Sequence, residues 1–327
     1  MNLQRMKIAA ACIALIGAMA AFSPSVAADV YPSRPIRVVV PFPPGGLNDT
    51  IVRIIQPDLQ QKLGQPVIVD NRQGASGMIG TEQVAKAAPD GYTLLVVASS
   101  HTVAPATNAH MAFDTENDLT PVSLLVHDPL MFVASANVGT RTLADFVALA
   151  KSKPDKLNYA TTGNDSQSHF VTELFEQQAG IGMVQVAYRG GAPAVLSLIS
   201  GETDFGVLSM QLSEPQIKAG KLIPLVSGGM ERTSQFPDLP TLAEAGYPQV
   251  EALQWVGMLA PGKTPADVIE KLNAVLRDVL ASPDVRQKLA AQGTTAAPST
   301  PEQFQTLISN EIRQWKQVAK AAKIQPH

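Results

Sequence analysis

Cysteine is nearly absent: Cys12 is the only one in 327 residues. It lies within residues 8–21, an apolar run of about 14 residues that follows Arg5 and Lys7 and gives way to Ser25-Val26-Ala27. A charged start, a short apolar stretch and a small-x-small triplet make a Sec-type signal peptide, expected to be cleaved at Ala27 or Ala28. The run falls short of the ~20 residues that span a bilayer, which argues against a membrane anchor. A lipid-attachment cysteine would follow the run rather than sit inside it, so a lipoprotein is not expected. Cleavage leaves about 300 residues without a thiol, hence with no disulfide, cysteine-ligated metal or cysteine nucleophile. A chain of that length buries enough apolar surface to fold without such staples, and it suggests two domains.

Basic excess is also lacking. Without Arg5 and Lys7 the mature chain carries 23 basic and 28 acidic residues, a formal −5, and no basic stripe, so nucleic acid is not an expected partner. No later apolar stretch approaches spanning length. Enzyme signatures are missing too. There is no Gly-x-Ser-x-Gly elbow, no Walker loop, and Gly74, Gly77 and Gly80 have the wrong spacing for a dinucleotide fingerprint. His101 and His110 lack metal-ligand spacing, and His127 and His327 have no recognisable partner in sequence. No catalytic residue, cofactor or metal is expected.

What is present is an alternation of strands and helices. Residues 34–41, 66–70 and 92–98 read as strands, with helices expected over 49–63 and 80–88. Residues 122–134 form a long extended stretch broken by Pro129, read as a crossing between domains. Beyond it, strands at 157–161, 184–188, 205–210 and 222–227 alternate with helices at 142–152, 168–179 and 191–201. Residues 250–260 return as a second crossing, and amphipathic helices at 267–281, 283–292 and 301–323 close the chain and are expected to pack on the first domain. This is an α/β pattern built on parallel sheets.

Glycines fall where strands give way to helices: Pro43-Pro44-Gly45-Gly46, Gly74-Ala75-Ser76-Gly77, Thr162-Gly163-Asn164-Asp165-Ser166 and Arg189-Gly190-Gly191. In open α/β sheets such loops gather at the carboxyl ends of the strands, where ligands bind. Free N–H groups at a helix start suit an anion, and glycine lets it approach the backbone. Any one such loop can equally be ordinary turn and capping chemistry. Asp49 reads first as a carboxylate at a helix start, and alternatively as a ligand contact. His169 could donate to a carboxylate or bond a backbone carbonyl. Asp204, between Gly201 and a strand, is most simply a turn residue.

In their order, these segments resemble the Bug-type receptors of tripartite tricarboxylate transporters. The resemblance runs through nearly the whole mature chain. It is carried by Tyr31-Pro32-Ser33-Arg34-Pro35-Ile36-Arg37, Val40-Pro41-Phe42-Pro43-Pro44-Gly45-Gly46, Asp70-Asn71-Arg72, Pro89-Asp90-Gly91-Tyr92-Thr93-Leu94-Leu95, Tyr188-Arg189-Gly190, Pro240-Thr241-Leu242-Ala243-Glu244-Ala245-Gly246 and Trp255-Val256-Gly257. It implies a two-lobed periplasmic-binding-protein (Venus-flytrap) fold with two crossing strands. The lobes are expected at 28–128 plus 255–327 and at 129–254. It implies a periplasmic receptor, monomeric, that captures a small carboxylate for membrane transporter subunits. Gly45, Gly46 and Asp49 in one loop, and Thr162, Gly163, Ser166 and His169 in another, would grip the ligand. Gly77 and Asp204 also match cleft positions.

Departures from the family pattern fall at Ser76, at Leu47-Asn48 and at Asp165, where a carboxylate enters a loop expected to bind one. They bear on ligand choice, which stays open among di- and tricarboxylates, amino-acid-like acids and aromatic acids. An Asp204 facing the cleft would favour an amino or amide group. A receptor that feeds a sensor kinase, an exported enzyme acting on a carboxylate, and the ligand-binding domain of a cytoplasmic regulator are the rival readings. The missing nucleophile motif argues against the second, and the signal peptide against the third.

Overall fold

The computed structural model describes residues 31–164, 166–250 and 252–326. The expected signal peptide, Asp165 and His327 lie outside them. Two buried strands, β1 (Ile36–Val40) and β3 (Thr93–Ala98), and a partly exposed edge strand, β2 (Val67–Asn71), pair in parallel in the order β2-β1-β3. The Val/Ile/Leu runs of β1 and β3 are what a sheet covered on both faces requires. Helices α1 (Leu47–Leu63) and α2 (Met78–Ala85) make the crossovers. α1 ends at Gly64, whose φ of 68° is the left-handed C-cap that glycine adopts without cost.

β4 (Leu119–Ser135) is the longest strand and runs through both halves of the sheet. From Leu119 to Pro129 it pairs antiparallel with β9 (Leu253–Pro261), which in turn pairs with β3. From Leu130 onward its partners are β7 (Phe205–Ser209) and β8 (Leu222–Ser227). Pro129, which has no N–H to donate, sits where the partners change. Beyond β7 lie β5 (Asn158–Thr161) and β6 (Val184–Ala187), again parallel. Helices α3 (Ser100–Thr107), α4 (Leu143–Ser152), α5 (Gln167–Ala179), α6 (Gly191–Ser200) and α7 (Met210–Lys218) complete the layers.

The chain closes with α8 (Ala266–Ala281), α9 (Pro283–Ala290), the short β10 (Thr295–Ala296) against β4, and α10 (Pro301–Ala321). α8 and α9 lie against α1. α10 behaves differently from the sequence expectation. Its first half buries Phe304, Ile308 and Ile312 with β3 and β9, while Trp315 and Val318 join the core around Phe170 and Phe175 of α5. The helix therefore ties together the cores on either side of the crossing. No helix among the described residues is long and apolar enough to cross a membrane.

Candidate functional site

Each parallel strand ends in a loop that starts a helix, and the topology brings these ends together. Two adjoining cavities, of about 520 and 870 Å³, share Phe42, Ser100, Thr162, Ser166 and Gly190. Five helix starts border the smaller one: α1 through Gly46 to Asn48, α3 through Ser100, α5 through Ser166 to Ser168, α6 through Gly190 and Gly191, and α7 through Ser209 and Gln211. Each offers unpaired N–H groups and a partial positive charge. No Lys, Arg or His lines this cavity among the described residues. Attraction for an anion therefore comes from backbone dipoles and hydroxyls.

The hydroxyls form a chain. Ser168 Oγ accepts from the Thr162 N–H at 3.0 Å and lies 3.2 Å from Thr162 Oγ1 and 2.9 Å from Ser166 Oγ. Ser166 Oγ donates to the Gly163 carbonyl at 2.7 Å and caps α5 by accepting from the His169 N–H. Gly163 has φ 149°, a conformation that a side chain would strain. On the opposite wall, the Ser99 hydroxyl donates to Gln167 Oε1, and Gln167 Nε2 reaches the Leu253 carbonyl at 3.4 Å. This link joins the end of β3, the start of α5 and the start of β9.

Gly46, Thr162, Gly163 and Ser166 thus line the cavities. Other expected contacts stand behind them. Asp49 is 2% exposed and its carboxylate is fully engaged. Oδ2 accepts from Gly45 N–H and Arg53 Nε, each at 2.9 Å, and Oδ1 accepts from Asn71 Nδ2 at 3.0 Å. Burial raises its pKa, but these bonds outweigh it and hold the group below the usual carboxylate range. Asp49 and Gly45 shape the Pro-Pro-Gly-Gly loop rather than face the cavity. His169 is also turned inward: its Nδ1–H donates to the Asn164 carbonyl, and Nε2 lies 3.6 Å from Glu173 Oε1. Of the two sequence alternatives for His169, the carbonyl bond is the one formed. Gly77 (φ 94°) packs against Pro41 and Phe42 and borders only a gap of about 20 Å³. Ser76 is held at φ 53° and borders the larger cavity.

Asp204 is a correction. It precedes β7, and its Oδ2 accepts from the Asn158 N–H at 2.8 Å at the start of β5. That is the amino end of these strands, whereas the cavities lie at their carboxyl ends. Its turn role holds, and it offers the ligand nothing.

Sequence reasoning missed two groups. Asp128 of β4 is 1% exposed, lines the smaller cavity, and neither of its oxygens has a hydrogen-bond partner. Burial pushes its carboxyl up to about 7, and only the nearby Met210 backbone N–H draws it back toward the anion. Asn48 of α1 is 5% exposed, lines the same cavity, and its Nδ2 is unpaired. Unmade bonds of this kind cost roughly 1–3 kcal/mol each. A lone Asp in the apolar stretch 122–134 was the available signal. Among the described residues no group of three or more His, Cys, Asp or Glu is arranged to hold a metal ion.

Known proteins resemble this chain in sequence and fold. Protein BugT of Bordetella pertussis is 37% identical over 98% of this chain and 98% of its own. An R. palustris protein solved with adipate is 32% identical, with a TM-score of 0.78 over 91% of this chain and 100% of its own. MatC from Rhodopseudomonas palustris, solved with bound malate, is 33% identical, with a TM-score of 0.74 over 88% of this chain and 99% of its own. The fold is that of the two-lobed periplasmic binding proteins, with an α/β sheet on either side of the crossing strands. A family model described as the tripartite tricarboxylate transporter family receptor matches residues 51–324. Ordered motifs, fold and family match agree, and the chain belongs to the tripartite tricarboxylate transporter receptor family.

Proposed function

We propose that this chain is a periplasmic receptor that captures a small carboxylate, catalyses no reaction and delivers its cargo to membrane transporter subunits. The observation that carries the reading is one cavity faced by five helix starts with no basic side chain among its described lining. Backbone dipoles bind an anion firmly while leaving no ion pair to break on release. Adipate and malate in the related proteins support a carboxylate as cargo. The change of partners along β4 at Pro129, opposite Leu253, supports lobes at 28–128 plus 255–327 and at 129–254. Closure about these crossings would be driven by the ligand's extra affinity for the closed form.

A thermal-shift screen of refolded, ligand-stripped protein tests this with succinate, malate, citrate, adipate, glutamate and their uncharged amides. An acid present at 100 times its Kd should add about 2.7 kcal/mol of stability, and its amide should not. The double substitution Ser166→Ala, Gly163→Val should abolish that shift while circular dichroism reports an unchanged fold. Retained affinity in the double variant would sink the site assignment.

A further inference from the structure

The smaller cavity attracts negative charge from its helix starts, yet a carboxylate is built into it. Asp128 lies opposite Gln254 in the β4–β9 pairing, one residue before the strand changes partners. It is the only titratable group lining the cavity among the described residues. A carboxylate with no side-chain donor and only the Met210 backbone N–H near it and, at Asn48, an amide donor with no acceptor face one space of about 520 Å³. Native proteins rarely leave such groups unpaired. His101 offers a contrast: its Nε2 is also buried and unpaired, but it borders a gap of about 20 Å³, too small for a ligand.

A plain dicarboxylate satisfies half of this arrangement. Its oxygens can take Asn48 Nδ2 and the helix N–H groups, but near Asp128 they meet either a like charge or one shared proton. A ligand carrying both a carboxylate and an ammonium satisfies both halves, because an ammonium has donors only and no acceptor. Charge-assisted bonds of that kind are the strong ones.

We infer that Asp128 is a specificity-determining residue that receives a protonated amino group, so that the cleft takes an amino-substituted carboxylate in preference to the matching plain acid. Asn48 and the helix starts hold the carboxylate end. The assignment rests on the carboxylate-receptor reading above.

Isothermal titration of the refolded, ligand-stripped protein with matched pairs tests it: succinate against aspartate, glutarate against glutamate, adipate against 2-aminoadipate. The wild type should bind the amino member of at least one pair about tenfold tighter or more. Asp128→Asn should erase that preference while binding the plain acid as well as before or better, and Asn48→Ala should weaken both members. Plain acids bound as tightly as amino acids, with Asp128→Asn without effect, would overturn the Asp128 assignment and leave the receptor reading standing. Plain acids preferred, and weakened by Asp128→Asn, would mean that Asp128 donates a proton to a carboxylate, which also overturns it. If no acid of either kind binds at millimolar concentration, the carboxylate reading itself fails. Should Asp128→Asn not fold, the wild-type preference within each pair decides alone.

Discussion

Asp49 and Asp128 are equally hidden from solvent, and their carboxylates fare in opposite ways. Asp49 has three donors and stays ionised; Asp128 has no side-chain donor, only the Met210 backbone N–H nearby, and burial pushes it up from 3.8 to about 7. A carboxyl with a raised folded pKa keeps its proton in the folded state while the unfolded chain has already lost it. Asp128 therefore lowers the stability of the ligand-free protein as pH rises from 3.8 to about 7, and the loss is complete above that. Asp128→Asn should melt higher than wild type at pH 8, with the gap shrinking toward pH 5. Glu176, raised to about 8 by burial and by Glu173, and His101, lowered to about 4 by burial, act in both proteins, so the difference isolates Asp128. A gap that does not change with pH would show that Asp128 titrates normally.

At the scale of elements, the crossing leaves its backbone segments little room. A Cβ on Gly228 would stand 2.4 Å from the Ala252 carbonyl oxygen and 2.8 Å from that of Leu130, both backbone atoms of the crossing segments. Gly228→Ala should therefore cost about 1–3 kcal/mol, as overpacked interiors do; an unchanged urea midpoint would show that the segments can spread. Most elements were legible from periodicity, but α3 and α7 were not. Each carries an internal proline, Pro105 or Pro215, which counts against a helix locally. Packing of α3 on α10, and of α7 on β4 and β8, overrides that preference. α1 also holds Pro57, yet its long apolar period made it readable.

At the scale of the molecule, α10 is the brace between the two cores, and one buried carboxylate fastens it. Glu311, 6% exposed, accepts from Trp255 Nε1 at 2.9 Å through Oε1 and from Thr102 Oγ1 at 2.6 Å through Oε2. Glu311→Ala would strand the buried indole N–H of Trp255, while the Thr102 hydroxyl keeps the Ser99 carbonyl as acceptor at 2.7 Å. Equilibrium denaturation should show a loss of about 1–3 kcal/mol, and Glu311→Gln a smaller one. Equal midpoints for Glu311→Ala and wild type would remove the brace from this account.

The sequence by itself determined the strand–helix alternation, the glycine loops at helix starts and, through the order of its motifs, the family. These are local properties: residue types set backbone preference and periodicity within a few positions. Only the tertiary structure decided which polar groups face the cleft. Asp49 and His169 turn into their own loops, Asp204 lies at the far end of its strand, and Asn48 and Asp128 look inward. Register is the physical reason. In a strand each residue added or skipped reverses the side that follows, and β4 has two irregularities in its pairing with β9 before Asp128, between Pro121 and Ser123 and between Leu124 and Val126. Those irregularities depend on pairing with residues more than a hundred positions away, which no local pattern records.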